Sequence, residues 1–202
     1  GLQSPWDGQA MGCFADATSE KYGFSRGDQD AFAAESVRRA QRAVREGDFA
    51  AEVAPALVKT RKGETTVAQD ETPFTLDLDK IPSLKPAFGK NGTVTAASSS
   101  SISDGAAALV VTSASFAAKH GLTPLARILA YSSHAQAPEW FTTAPGPAIQ
   151  KAIDRAGWKV ADVDLFEVNE AFASVVMSWA KEHNADFDKV NVNGGAIALG
   201  HP

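Results

Sequence analysis

An α/β fold, with a parallel-rich sheet carrying helices on both faces, is the class the sequence predicts, and three features of the second half of the chain predict it. Short apolar runs at 106–111, 125–130 and 163–168 alternate with helix-period segments at 113–120, 147–156 and 171–183. That order requires crossover connections, which parallel strands need and hairpins do not supply. Gly121 and Gly157 stand just past two of the helical segments, as stop signals. Polar residues fall where such sheets bind ligands: Asn169 and Glu170 directly follow the run at 163–168.

The first half reads differently. Ala10, Met11, Phe14, Ala15 and Thr18 fall at helical spacing before Gly23. Ser25 and Asp28 then form a capping-box pair for a second helix, whose stripe of Phe32, Ser36, Val37, Ala40, Ala43 and Val44 ends near Gly47. Arg38, Arg39, Arg42 and Arg45 of that helix are expected to be a solvated face. Residues 54–60 and 65–69 flank Arg61, Lys62 and Gly63 as a short hairpin. The stretch 70–91, broken by Pro73, Pro82 and Pro86, is irregular and reads as a binding or cover loop anchored by Ile81 and Phe88. A serine-rich stretch, Ser98 to Ser101 and Ser103, leads into 106–111, an apolar run expected to be a buried strand; linker and tight ligand-facing turn both remain open for the serines.

Composition narrows the function. With 202 residues and 44% hydrophobic content the chain can bury a sizeable core. A net charge of −5 argues against nucleic acid, which would call for clustered basic residues. The single cysteine, Cys13, can close no internal disulfide and suits a reducing compartment; in a helical stretch it is expected to be a buried small hydrophobe. No apolar run of about eighteen residues and no basic-then-apolar leader are visible, so neither a membrane nor secretion is expected, and the location expected is cytoplasmic. No paired histidines at metal spacing occur, and no metal is expected.

Chemistry concentrates in 190–202. Gly194, Gly195 and Gly200 allow close backbone approach, and they deliver His201, a side chain of the type most used for proton transfer. His120 and His183 end helices, where they complement the dipole, and His134 carries no motif.

The segments Asn169-Glu170-Ala171-Phe172 and 193–202, about twenty residues apart, resemble the two C-terminal signature motifs of the thiolases. The resemblance extends through Ser25 to Phe32, through 92–96 and through 104–108, so it covers nearly the whole chain. It implies the thiolase fold with an inserted loop domain at 1–102, the end of the N-terminal core domain at 103–123, and the start of the C-terminal core domain at 124–202. It implies acyl transfer between coenzyme A thioesters: Claisen condensation of two acetyl-CoA to acetoacetyl-CoA, or its thiolytic reverse. His201 matches the histidine that activates the nucleophilic cysteine and helps hold the thioester oxygen. Asn169 matches the asparagine that fixes a water and, with the histidine, forms an oxyanion hole. Ser100 matches a serine meeting pantetheine, Phe88 an aromatic near the adenine end, and Ala171 with Phe172 the tunnel bottom. No tightly bound cofactor is implied. Acyl-CoA is the substrate, fatty acid metabolism the context, and a homodimer or homotetramer the assembly.

The sequence also departs from the family. The nucleophilic cysteine is expected upstream of Gly1 and the second cysteine beyond Pro202, so the chain is expected to be the middle of a longer protein, inactive alone for lack of both thiols. Ala10 stands where some biosynthetic members carry a histidine, and Phe141-Thr142 replace the usual Met-Gly of the substrate loop, which adds bulk at the acyl pocket. A degradative 3-ketoacyl-CoA thiolase and a catalytically silent acyl-CoA-binding relative are the alternatives to an acetyltransferase.

Overall fold

The computed structural model describes residues 2–61 and 63–202. The helix before Gly23 is α1, Met11–Tyr22, which ends on that glycine. Helix α2, Arg26–Glu46, starts on the expected capping box: Ser25 Oγ accepts from the Asp28 N–H at 3.1 Å, and Asp28 accepts from the Ser25 N–H at 2.8 Å. Two N–H groups at the helix start that would lack partners are satisfied in this way. Strands β1, Ala56–Thr60, and β2, Gly63–Val67, make the expected antiparallel hairpin, with Ala56 opposite Val67. In the irregular stretch that follows, α3, Thr72–Thr75, and a 3₁₀ turn, Leu78–Ser83, hold Ile81 in the interior, while Phe88 stays partly exposed.

Helix α4, Ala114–Lys119, is capped by the Ser113 hydroxyl. A 3₁₀ turn, Pro138–Thr143, precedes α5, Pro145–Ala156, which begins slightly earlier than the periodicity predicts because Pro145 is favourable at a helix start. Helix α6, Ala173–His183, is the centre of the molecule, with every residue from Ala173 to Ala180 buried. Trp179 meets Phe166, Ile153 and Val190; Phe172 and Val175 meet Ala15 and Val94; Ala173 and Met177 meet Ala33 and Ile197. The adjacent β-branched Val175 and Val176 cost the helix less than about 1 kcal/mol each in propensity. Burial of each large apolar side chain contributes about 1.5–3 kcal/mol, so packing and not propensity makes this segment helical. A short helix, α7, Ala196–Leu199, packs on Val37 and Ala40 of α2.

The sheet departs from expectation. Among the described residues only β1 and β2 form a ladder, and the run at 163–168 contributes one parallel bridge, Phe166 to Val190. The runs at 106–111 and 125–130 carry no strand hydrogen bonds. Leu109, Val110 and Val111 are 87%, 93% and 73% exposed, so the expected buried strand is contradicted. The physical reason is that an apolar run states what a neighbour would bury, and a strand exists only through that neighbour's hydrogen bonds. Nor is the arginine face simply solvated. Arg39 donates to the carbonyls of Phe187 and Val190, at 3.0 and 2.7 Å, and Arg42 to Val192 O and Asn193 Oδ1, at 2.8 and 2.7 Å. Arg38 does pair with Glu35 at the surface, and Arg45 lies over the Phe74 ring. Cys13 is half-buried within α1 and not a core residue. Among the described residues no helix is long and apolar enough to cross a membrane, and no group of three or more His, Cys, Asp or Glu could hold a metal ion.

The close approach of the 190–202 loop to α2 rests on Gly194, which has φ +81° and faces Ser36 O and Ala40 where a Cβ would fall. Gly157 has a similar φ of +74° with open space around it. Gly194→Ala is therefore expected to cost about 1–3 kcal/mol more than Gly157→Ala, the scale of overpacking in a tight site. Urea unfolding midpoints of the two variants measure the difference, and equal losses would show that α2 does not press on this loop.

Candidate active site at the junction of two loops

Strand-like alternation sorts the residues after Phe166: Val168 and Glu170 are buried, while Asn169 points outward. Val168 is held on both backbone groups by one side chain, since its N–H donates to Asn191 Oδ1 at 2.8 Å and its carbonyl accepts from Asn191 Nδ2 at 2.8 Å. Asn191 takes this position with φ +47°, a conformation asparagine tolerates better than most residues. Its Nδ2 also donates to Glu170 Oε1 at 2.9 Å. Glu170 Oε2 accepts from the Ser36 hydroxyl at 2.7 Å and from the Ile197 N–H at 3.1 Å. Ser36 Oγ in turn accepts from the Gly195 N–H at 3.1 Å. A Cβ on Gly195 would collide with the Glu170 carboxylate, so that loop can close over it only as glycine.

Burial pushes the Glu170 carboxyl above its ordinary range, against the pull of its hydrogen bonds to Ser36, Asn191 and Ile197 and the field of Arg39. Glu167 is raised too, first by burial and then by the charge of Glu170. The cluster is thus a carboxylate taken out of water and matched by donors from three parts of the chain.

Beyond α7 the chain leaves through Gly200, and the His201 N–H donates to Ser101 O at 3.1 Å. His201 and Asn169 are both exposed, and His201 Nε2 lies 3.3 Å from Asn169 Nδ2. The imidazole and the carboxamide, thirty-two positions apart in sequence, are therefore side by side. Here the Asn169 amide donates to an unprotonated Nε2; with the ring protonated at Nε2, both N–H groups are free to turn to one oxygen placed beside them. They are presented from adjoining loops fixed by buried hydrogen bonds, as a hole for a developing oxyanion requires.

The serine-rich stretch is part of this construction and not a linker. Ser100 donates both its N–H and its hydroxyl to Ala171 O, each at 3.1 Å, and the Ala173 N–H donates to Ser98 O at 2.9 Å. Ser99 and Phe172 form an antiparallel bridge between them. The Ser100 hydroxyl keeps lone pairs with which to accept from a ligand. Upstream, Asp16 Oδ1 accepts from the N–H groups of Thr93 and Val94, at 2.8 and 2.9 Å, and so ties the start of the stretch to α1.

Phe172 packs with Met11 and Ala171. The Phe88 ring lies so close to Gly12 that a Cβ there would collide with it, and it meets Phe172 edge-on at 5.9 Å. Phe88 and Phe172, which the resemblance assigns to opposite ends of the ligand, share one ring contact. Phe141 meets Phe14 edge-on at 6.1 Å and packs with Met11 and Ala171 around Phe172. Thr142, in the unusual dipeptide, shares a buried hydrogen bond of 2.6 Å with Thr18 of α1. The structure thus gathers Asn169, His201, Ser100, Ala171, Phe172, Phe88 and Phe141 around the ends of α1, α6 and α7. Sequence reasoning gave no part to Ser36, Asn191 or Asp16. The in-out-in order of Val168, Asn169 and Glu170 was the signal that an inward carboxylate would need donors.

Comparisons with known proteins show which family the chain resembles. The family profile of the thiolase N-terminal domain matches residues 1–115, and that of the thiolase C-terminal domain residues 122–202. A probable acetyl-CoA acetyltransferase of Dictyostelium discoideum is 48% identical over the whole chain, which covers 49% of that protein. An acetyl-CoA acetyltransferase of Escherichia coli (strain K12) is 47% identical, with 52% of it covered. The crystal structure of the Bacillus anthracis acetyl-CoA acetyltransferase superposes with a TM-score of 0.96 at 40% identity, over 100% of this chain and 51% of that one. Human mitochondrial 3-ketoacyl-CoA thiolase superposes with a TM-score of 0.94, also at 40% identity and over 100% and 51% of the two chains. The chain spans about half the length of the curated relatives it matches. Its backbone follows the α/β thiolase fold even though its strand segments carry few ladder bonds of their own. The chain belongs to the thiolase family.

Proposed function

We propose that this chain is the central part of a longer acetyl-CoA acetyltransferase that joins two acetyl-CoA into acetoacetyl-CoA and runs the thiolytic reverse. The observation that carries the reading is the 3.3 Å approach of Asn169 Nδ2 to His201 Nε2 at an exposed junction of two braced loops. Condensation moves a proton from the methyl group of one thioester onto the second cysteine that the thiolase resemblance implies, and drives negative charge onto the thioester's carbonyl oxygen. Donors fixed before that charge develops lower the barrier, because they need no reorganisation during the step. Asn169 and His201 supply such donors, and His201 also accepts a proton from the nucleophilic cysteine that the thiolase resemblance implies. A silent acyl-CoA-binding relative has no chemical need for this pairing. The carbonyl and hydroxyl groups of the serine-rich stretch suit the pantetheine arm, with Ser100 as its acceptor. Because Phe88 contacts Phe172, we assign Phe88 to the acyl end of the ligand and not to the adenine end. The same proposal takes in a cytoplasmic homodimer or homotetramer, and the lone Cys13 suits the reducing compartment.

In the full-length protein His201→Ala is expected to abolish thioester formation. Asn169→Ala is expected to slow condensation about a hundredfold or more, the scale of one oxyanion donor. Burst kinetics of acyl-enzyme formation and steady-state condensation measure the two, and a wild-type rate in either variant removes its residue from the chemistry.

A degradative 3-ketoacyl-CoA thiolase is the second reading, favoured by the likeness to the human mitochondrial enzyme. The Phe141 ring, fixed against Phe14, narrows the space beside Phe172 and favours short acyl groups. Phe141→Ala is expected to raise kcat/KM for a longer ketoacyl-CoA relative to acetoacetyl-CoA by about tenfold or more, the worth of a few methylenes in an apolar pocket. An unchanged ratio, with the longer substrate already preferred by the wild type, would move the assignment to the degradative class.

A further inference from the structure

We propose that Glu170 is a positioning residue for this chemistry: its buried carboxylate joins the loop carrying Asn169 to the loop carrying His201 and keeps the two donors at their working separation. The proposal rests on the reading of Asn169 and His201 as donors to one oxygen.

The carboxylate is 1% exposed and takes hydrogen bonds from three places: Ser36 on α2, the Asn191 amide, and the Ile197 N–H inside α7. Glu170 directly follows Asn169, and α7 leads within a few residues to His201, so one side chain fixes the distance between both functional groups. The donors cannot reverse. Ile197 N is a backbone amide, and Asn191 is locked because its Oδ1 already accepts from Val168 N while its Nδ2 donates to Val168 O. The site therefore needs an acceptor at each oxygen. A glutamine of the same shape puts an NH₂ group against one of these donors in either orientation. Hydrophobic packing alone would not need a carboxylate here, since burying an ionised group is costly unless donors match it. Ser36 adds a second tie, because it donates to Glu170 while accepting from the Gly195 N–H. The charged groups facing the cluster are Glu167 from its own segment and Arg39 from α2.

A positioning role differs from a structural one in how it combines with loss of the donor it positions. In the full-length protein Glu170→Gln is expected to lower kcat for condensation about tenfold to a hundredfold with KM little changed, the scale of a small misplacement of a reacting group. In an Asn169→Ala background the same substitution is expected to cost clearly less than it does in the wild type, because only His201 is left to be misplaced. Ser36→Ala, a milder change with the charge retained, is expected to follow the same pattern with a smaller loss, and it carries the test if Glu170→Gln does not fold. Losses that multiply in both backgrounds, for the variants that fold, would overturn the proposal and leave Glu170 a stabilising residue only. A wild-type condensation rate for Asn169→Ala would overturn the donor reading and the proposal together. A loss in Asn169→Ala with multiplicative effects at Glu170 would overturn the positioning role alone.

Discussion

A carboxylate withdrawn from water is the constraint on which the rest of the site depends. Removing an ionised group from solvent is costly by several kcal/mol, and only charge-assisted hydrogen bonds at good geometry offset it. Glu170 obtains them from α2, from the loop at 190–195 and from α7. Each of these elements is thereby oriented by the same two oxygens. The glycines of the terminal motif serve that closure, since Gly194 presses on α2 and Gly195 on the carboxylate itself. α2 reinforces the same contact from neighbouring positions, where Arg39 and Arg42 donate to carbonyls of 187–192.

Division of labour between neighbouring residues follows from backbone alternation. Glu170 faces inward to its donors, while Asn169, one residue earlier, faces outward to solvent. The serine-rich stretch runs alongside, paired with 171–173 by backbone bonds and with His201 through Ser101 O. Small side chains are needed there because backbone must lie close to backbone. An aromatic group of Phe88, Phe172, Phe141 and Phe14 then forms an apolar surface beside the polar junction. An apolar wall beside a few convergent donors is the usual chemistry of a small-molecule site.

Local features were legible in the sequence because their causes are local. The Ser25 and Asp28 box, the hairpin at 56–67, the Ser113 cap and the glycine stops follow from hydrogen bonds within a few residues. The pairing of Asn169 with His201 was legible only through the resemblance to a family, since nothing in spacing alone brings two loops together. The parallel sheet was not legible as hydrogen bonds: the runs at 106–111 and 125–130 have the apolarity of strands, but their ladders depend on which segments lie beside them. Arg39 and Arg42 were misread as a solvated face because their acceptors are backbone carbonyls about 150 residues later, and carbonyls leave no mark in composition. Glu170 stood in plain view beside Asn169, yet its role depends on Ser36, Asn191 and Ile197 being near, which only the fold reveals.

The central claim is that Asn169 and His201 address a single substrate oxygen. A crystal structure of the full-length protein with acetoacetyl-CoA bound tests it most directly. The account predicts the thioester oxygen within hydrogen-bond distance of His201 Nε2, and linked to Asn169 Nδ2 directly or through one ordered water. A thioester seated elsewhere, with the carboxamide and the imidazole turned from it, would contradict the account.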